Sequence, residues 1–355
     1  MKTIQQPGLV SIALPAYNVE QVISASIESV LGQTYTDWEL IIVNDGSWDQ
    51  TAVQAAHYSD PRIKLIHQYK SGEATAYNTA LGHMRGEFIA FLSAGDIYLP
   101  QHLALGAAEF SSSPEVDGLL MEGMIPDEKG KLISQGAGEF PFPIDGYILE
   151  EIIKSSRGFE SASGILLRRS LVTRFQLQFD PDIPEYSLWD FMIQYSELGR
   201  FGFINQPTYQ RPVSSSKPRR PAADPQKIFS LARCREKAIK LDTFSKLDEA
   251  IRSQVFHELL GILLIGNLPR QELITQSTEF SALPPAEQAS LLRLIACKGF
   301  VYDKNNQYTQ RWLSRAQELC PGNRQGAYQM SLYRFNPGLF RISLYLRNFL
   351  HLKLS

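Results

Sequence analysis

Cysteine is scarce in this sequence, and its few copies are far apart. The three cysteines, Cys234, Cys297 and Cys320, show no CxxC spacing. This pattern excludes a disulfide framework and a cysteine-based zinc site, and it favours a reducing compartment. The six histidines show no HxxxH spacing, which argues against a histidine metal site.

Long hydrophobic runs and an excess of charge of one sign are also missing. No window approaches the ~18 apolar residues of a membrane span, and the first nine residues lack a signal-peptide pattern. We therefore expect a chain that is neither secreted nor integral to a membrane. Lysine and arginine total 35 against 37 acids, so no global basic field exists to attract nucleic acid. The 355 residues, 44% of them apolar, predict a globular protein of two or three domains.

Strand and helix signals alternate through the first hundred residues. Short apolar runs predict strands over 10–14, 40–43, 63–66 and 88–92, and helical spacing predicts helices over 23–31 and 74–84. Ser47 followed by Gln50 forms a capping-box pattern that predicts a further helix reaching Ala56. Such alternation is typical of an α/β fold with a mostly parallel sheet.

The chain changes character after about residue 212. We expect an α/β domain over 1–212, a Pro-rich linker over 213–225, and a smaller all-α domain over 226–355. The tail at 337–355 carries arginines opposite a broad apolar arc when projected on a helix. Such a basic amphipathic helix suits an anionic membrane surface, and packing against the helical domain or a second subunit of a homo-oligomer is the alternative, which an aromatic-rich face favours.

Three short polar loops follow predicted strands. They are Pro15 to Asn18, Asp45 to Ser47, and Ser93 to Asp96. Because ligands bind at the carboxyl ends of strands in an open parallel sheet, the three loops predict one crevice suited to a nucleotide. The sequence has neither GxGxxG after the first strand nor GxxxxGK[ST]. Asp45 is placed to accept a hydrogen bond from a pyrimidine imide, or else to cap a helix.

Five segments together resemble a known family. They read VSIALPAYN at 10–18, SVLGQT at 29–34, WELIIVNDGS at 38–47, DPRI at 60–63 and GEFIAFL at 86–92. In this order and spacing they resemble the inverting glycosyltransferases of family 2, which have the GT-A fold, over roughly the first 210 residues. The resemblance implies transfer of a sugar from a nucleotide-sugar donor, a UDP-sugar first of all, to a hydroxyl acceptor. That acceptor would be a glycan or a lipid-linked precursor.

The resemblance also implies roles for individual residues. Pro15, Ala16, Tyr17 and Asp45 match the positions that contact the donor nucleoside. The family's metal motif falls on 92–96, which reads LSAGD and keeps only Asp96 of three acids. The resemblance therefore implies Asp96 as a donor-site residue and as a ligand of Mg or Mn, at a weakened site. Asp96 as the N-cap of a helix over 99–110 is the alternative.

Two further positions depart from the family pattern. Tyr77 stands where the family has an arginine able to contact the diphosphate, so Lys70 or Arg85 must compensate, unless both are simply solvated. The family's catalytic Glu-Asp pair falls on Ser187 and Leu188. Asp190 lies two residues downstream and Glu185 three upstream, and we assign the general base to Asp190, although that acid also suits the positive end of a helix.

These observations predict a glycosyltransferase of polysaccharide biosynthesis, cytoplasmic and peripheral at the inner face of the membrane. A catalytically degenerate relative that binds a nucleotide or glycan, or that assists assembly, is the competing hypothesis. The missing acids favour this second hypothesis, but the transferase remains our first prediction because loops that are distant in sequence can supply substitute groups in the folded protein.

Overall fold

The structure is a computed structural model. It describes residues 5–126, 132–134, 146–154, 161–211, 224–323, 328, 329, 331 and 333. The chain divides into two compact units, residues 1–230 and 231–355. Residues 213–223 of the predicted linker and the predicted amphipathic tail (337–355) lie outside the described residues.

The first unit contains one mixed sheet with helices. Its strands are β1 (Gln6–Ala16), β2 (Trp38–Asp45), β3 (Ile63–Gln68), β4 (Gly86–Phe91), β5 (Ile97–Tyr98), β6 (Gly118–Pro126), β7 (Leu132–Ser134), β8 (Ile165–Arg168) and β9 (Phe201–Gln210). Its helices are α1 (Ile23–Leu31), α2 (Thr51–Ala56), α3 (Glu73–His83), α4 (His102–Ser112), α5 (Leu149–Lys154), α6 (Arg169–Phe175) and α7 (Ser187–Leu198), and α8 (Pro225–Ala238) follows.

The strand order is β3-β2-β1-β4-β8-β6-β9-β5, with β7 paired to β6. The first four strands are mutually parallel. Beyond them β8 runs antiparallel to both β4 and β6, and β9 runs parallel to β6. The carboxyl ends of β1, β2, β3 and β4 therefore lie at one edge of the sheet, as the alternating sequence predicts.

Apolar patterning explains this arrangement. Strand β2 is buried along its whole length, as a central strand covered on both faces must be. Ile23, Ile27 and Val30 of α1 are fully buried against the same core. The predicted capping box of α2 is wrong, because that helix begins at Thr51. The Ser47 hydroxyl instead accepts a hydrogen bond from the backbone amide of Asn18, at 3.1 Å.

The second unit is helical throughout its described part. After α8 come α9 (Glu249–Glu258), a π-helical turn (Leu259–Leu263), α10 (Leu268–Thr275), α11 (Thr278–Ser281), α12 (Pro285–Gly299) and α13 (Gln307–Leu319). Glu272 links two of these helices, because its carboxylate accepts hydrogen bonds from Arg311 and from the indole of Trp312. No helix in the described ranges combines the length and apolar character needed to cross a bilayer.

Candidate donor-binding site

A cavity of about 460 Å³ opens at the carboxyl ends of the parallel strands, a size typical of small-molecule sites. Its lining combines the loops after β1, β2, β3 and β4 with one acid from the segment before α7. The lining residues are Pro15, Ala16, Tyr17, Val19, Asp45, Lys70, Glu73, Ala76, Ser93, Ala94 and Glu185. The structure thus brings together four of the predicted donor-site residues, Pro15, Ala16, Tyr17 and Asp45, whereas Asp96 is not part of the lining.

The loop after β1 is fixed by side-chain hydrogen bonds to the loop after β2. Asn18 has φ of 52°, a left-handed conformation that asparagine tolerates better than most residues. Its side-chain oxygen accepts a hydrogen bond from the amide of Trp48 at 3.1 Å. The amide of Val19 donates to the Thr51 hydroxyl at 2.8 Å. These bonds hold Tyr17, directly before Asn18, at the rim of the cavity, where it is 39% exposed.

Gly46 brings the loops after β2 and β3 into close approach. Its φ is +69°, and a Cβ added there would lie 2.7 Å from the amide nitrogen of Lys70. Only glycine satisfies both requirements without strain. The close approach lets Asp45, the last residue of β2, reach the turn that precedes α3.

Asp45 is buried, and its carboxylate accepts four hydrogen bonds. Oδ1 accepts from Gln68 Nε2 at 2.7 Å and from the Ser71 amide at 2.8 Å. Oδ2 accepts from Lys70 Nζ and from the Gly72 amide, both at 2.9 Å. Burial by itself raises the pKa of Asp45, but these four hydrogen bonds outweigh it and lower the pKa below its usual value. Asp45 is therefore ionised near neutral pH and anchors the turn before α3, rather than capping α2.

Lys70 lies between an anion and an aromatic ring. Besides its ion pair with Asp45, its Nζ lies 3.3 Å from the centroid of the Tyr17 ring. This is a cation–π contact, and 48% of the lysine side chain remains exposed to solvent. Lys70 is thus part of the cavity wall. Arg85 is not, because its Nε pairs at 2.9 Å with Glu39, at the opposite end of β2.

Asp96 lies in a buried polar network beside the cavity. Its Oδ2 accepts hydrogen bonds from the hydroxyls of Ser161 at 2.5 Å and Ser163 at 2.7 Å, and Arg211 Nε lies 3.7 Å from Oδ1. The alternative prediction of a helix N-cap is wrong. Strand β5 follows Asp96, and α4 begins only at His102.

This network does not fit a divalent cation at Asp96. Both carboxylate oxygens face hydrogen-bond donors, Ser93 offers only a neutral hydroxyl, and Gly95 has no side chain. In the part of the chain that is described, no three acidic, histidine or cysteine side chains form a group able to hold a metal. Sequence spacing gave no signal for Ser161 and Ser163, which lie more than sixty residues further along the chain.

The predicted base, Asp190, is buried in the first turn of α7. Gln194 Nε2 donates to its Oδ2 at 2.8 Å, and Asp190 does not line the cavity. Its neighbour Trp189 is a packing residue whose indole donates to the carbonyl of Ile152 at 2.9 Å. Glu185, five residues upstream, does line the cavity, as do Asp45 and Glu73. Of Glu185 and Asp190, only Glu185 therefore lies in the wall of the cavity.

Tyr77 belongs to the core. Its ring stacks on Phe179 with centroids 4.6 Å apart and meets Phe91 edge-on at 5.4 Å. Burial raises the pKa of its phenol well above the usual value. Position 77 therefore contributes packing, and its side chain does not line the cavity.

Comparison with known proteins gives one consistent result. The family model for glycosyl transferase family 2 matches residues 11–175. Over 98 residues the chain is 50% identical to the UDP-Glc:alpha-D-GlcNAc-diphosphoundecaprenol beta-1,3-glucosyltransferase WfgD of Escherichia coli. This match covers 27% of the present chain and 39% of WfgD. The chain spans between 26% and 56% of the length of the first four curated relatives that it matches.

Solved structures share the fold. S. aureus TarS, residues 1–349, superposes with a TM-score of 0.56 at 17% identity, covering 92% of this chain and 91% of that one. The mannosyltransferase PcManGT of Pyrobaculum calidifontis, solved with GDP-Man and Mn²⁺, gives a TM-score of 0.51 at 18% identity, with coverages of 96% and 86%. The predicted GT-A fold is confirmed. Residues 11–175 match the model of glycosyl transferase family 2, the family that the sequence resembles.

Proposed function

We propose that this protein transfers a sugar from a nucleotide-sugar donor to a hydroxyl acceptor with inversion at the anomeric carbon. The observation that carries the proposal is the cavity in which Pro15, Ala16, Tyr17 and Asp45 converge from two separate loops. These are the positions that the family uses for the nucleoside. The cavity volume of about 460 Å³ suits a ligand of this size.

A UDP-sugar is the donor that we propose. Tyr17 presents a half-exposed ring for stacking, and Asp45 offers a carboxylate to the imide N–H of uracil. The name of the relative WfgD specifies a UDP-Glc donor, and TarS has been solved with UDP. Both support this choice of nucleotide.

A glycan or lipid-linked hydroxyl is the acceptor that we propose, and the name of WfgD, which acts on a diphosphoundecaprenol, supports it. Such an acceptor would place the protein peripherally at the inner face of the membrane. The basic amphipathic sequence of 337–355 also supports this location. Deleting 337–355 should then abolish co-sedimentation with anionic liposomes. Unchanged sedimentation would contradict the location.

Inverting transfer requires a base. The acceptor oxygen bonds to the anomeric carbon as the bond from that carbon to the diphosphate oxygen breaks, and the acceptor proton must go to a nearby group. We propose Glu185 for this role, because it lines the cavity and lies close in sequence to Ser187 and Leu188, where the family's catalytic pair falls. Asp190 remains the sequence-based candidate, although its burial and its bond to Gln194 do not favour it.

A divalent cation has no place in this proposal. PcManGT was solved with Mn²⁺, but Asp96 of this chain is engaged with Ser161, Ser163 and Arg211. The donor set does not match what Mg²⁺ or Mn²⁺ requires. We therefore derive no catalytic step through a metal.

The competing function is a nucleotide- or glycan-binding protein without turnover. The engagement of Asp96 in a hydroxyl network is the observation that favours it. Calorimetric titration with UDP and GDP, combined with release of free nucleotide from UDP-sugars in the presence of glycan acceptors, tests both functions. Binding with acceptor-dependent release supports the transferase. Binding with release at background supports the binding protein, and no binding of either nucleotide under any condition would exclude both the transferase and a nucleotide-binding role.

A further inference from the structure

Lys70 is the one cation among the described residues that line the cavity. Its ammonium lies 2.9 Å from Asp45 Oδ2 and 3.3 Å from the centroid of the Tyr17 ring. These are the same two side chains that the proposed function assigns to the nucleobase. A base that stacks on Tyr17 and bonds to Asp45 would therefore compete with the ammonium for its position.

Asp45 cannot simply add a further hydrogen bond. An ionised carboxylate offers about four acceptor positions, and Gln68, Lys70, Ser71 and Gly72 already supply four donors. An incoming imide N–H must replace one of them.

Lys70 is the donor that is easiest to replace. The donors of Ser71 and Gly72 are backbone amides, which cannot leave without rebuilding the turn before α3. Gln68 is held at its other end, where its Oε1 accepts a hydrogen bond from the Thr79 hydroxyl at 2.7 Å. Lys70 alone has a long flexible stem and a half-exposed side chain, so its ammonium can move while the loop stays in place.

The displaced ammonium would lie among negatively charged groups. The other titratable groups of the lining, apart from Tyr17, are the acids Asp45, Glu73 and Glu185, and a donor diphosphate adds further negative charge. Repulsion among these groups would oppose donor binding unless a cation compensates it. Because the surroundings of Asp96 do not fit a metal ion, the ammonium of Lys70 is the positive charge that the cavity lining offers to a diphosphate.

We propose that donor binding makes Lys70 exchange Asp45 for the donor diphosphate, so that Lys70 supplies the charge that a divalent cation supplies elsewhere. This inference rests on the proposed function. It makes Lys70 a donor-binding residue that stabilises the departing diphosphate, with the nucleobase itself releasing the ammonium from Asp45.

The test is calorimetry in EDTA with UDP and uridine, and with GDP and guanosine in parallel. Lys70→Met keeps the length of the side chain and removes its charge. Lys64→Met, at an exposed position of β3 away from the cavity, is the matched control. We expect Lys70→Met to weaken nucleoside diphosphate binding about 10- to 100-fold, the loss of one charge-assisted contact. Nucleoside binding should be unchanged or tighter, because Asp45 is freed, and Lys70→Arg should restore part of the affinity for the diphosphate.

Three results would overturn the inference. Equal weakening of diphosphate and nucleoside would mean that Lys70 serves the base alone. If Lys70→Met binds the nucleoside diphosphate with wild-type affinity, Lys70 is dispensable for binding. If the wild-type protein binds the diphosphate only in the presence of Mn²⁺, a metal ion and not Lys70 compensates the diphosphate charge. In all three the proposed function survives, whereas a wild-type protein that binds none of the four compounds removes the proposed function itself. Melting temperatures of all variants verify that they are folded.

Discussion

The hydroxyl of Ser163 donates a hydrogen bond of 2.7 Å to the carboxylate of Asp96, across 67 positions of sequence. Ser161 donates to the same oxygen, and the Ser26 hydroxyl donates to the Asp96 backbone carbonyl at 2.9 Å. Asp96 thereby joins the loop after β4 to the short turn before β8 and to α1. A motif position that the family uses for a metal serves here as a structural junction.

Replacing Asp96 with Asn should therefore reduce stability more than ligand binding. The amide keeps the shape of the side chain but removes the negative charge of the carboxylate, whose Oδ2 accepts hydrogen bonds from two serine hydroxyls. We expect the free energy of unfolding to fall by about 1–3 kcal/mol. Urea denaturation measures the change, and calorimetry with UDP in EDTA should give nearly the wild-type affinity. Asp37→Asn, at an exposed position, should change stability by less than about 0.5 kcal/mol. Unchanged stability together with the loss of a Mn²⁺-dependent affinity would identify Asp96 as a metal ligand.

The base assignment predicts different effects at two nearby acids. Glu185→Gln should lower kcat by about 10²- to 10⁴-fold and leave donor affinity almost unchanged, because the lost group accepts a proton only during transfer. Asp190→Asn should instead lower the melting temperature, because it alters a buried carboxylate bonded to Gln194. Initial rates of sugar transfer and thermal denaturation separate the two. A large loss of kcat in a fully folded Asp190→Asn variant would restore Asp190 as the base.

Sequence patterns were sufficient for the fold because the relevant signals are local. The apolar run over 40–43 and the helical spacing of Ile23, Ile27 and Val30 depend only on neighbouring residues, and both elements formed as predicted. The loops after β1 and β2 were also found from the sequence, since parallel strands necessarily bring such loops to one edge.

The individual site contacts were much less predictable. Nothing in the sequence indicates that Ser161 and Ser163 meet Asp96, because that contact depends on the antiparallel pairing of β8 with β4. Lys70 and Arg85 looked alike as compensating cations. Only the fold shows that Lys70 lies at the carboxyl end of the strands, and that Arg85 lies at the other end beside Glu39.

Gly46 should be intolerant of a side chain. In Gly46→Ala the new methyl group would lie 2.7 Å from the Lys70 amide nitrogen at a φ of +69°. We expect stability to fall by about 1–3 kcal/mol and UDP affinity to fall as well, since the loop that holds Asp45 and Lys70 must shift. Gly82→Ala is the matched control, because that glycine lies within α3 with nothing within 4 Å of an added Cβ. It should be neutral or stabilising by up to about 1 kcal/mol. Equal effects of the two substitutions would contradict the close approach of the two loops.

Acid should destabilise the protein through His102. Its ring is fully buried and stacks on Tyr98 with centroids 3.7 Å apart, and burial lowers the pKa of His102 from 6.5 to about 3. Between those two pKa values, His102 binds a proton in the unfolded chain but not in the folded chain. The free energy of unfolding therefore decreases as the pH falls from 6.5 towards 3. The slope is about 1.4 kcal/mol per pH unit. His102→Phe retains a buried aromatic ring and removes the titration, so its stability should depend less steeply on pH in this window.

Urea denaturation from pH 7 to pH 4.5 measures both slopes, with the exposed His57→Phe as the control. Parallel slopes for wild type and His102→Phe would mean that a different buried group controls the response to acid.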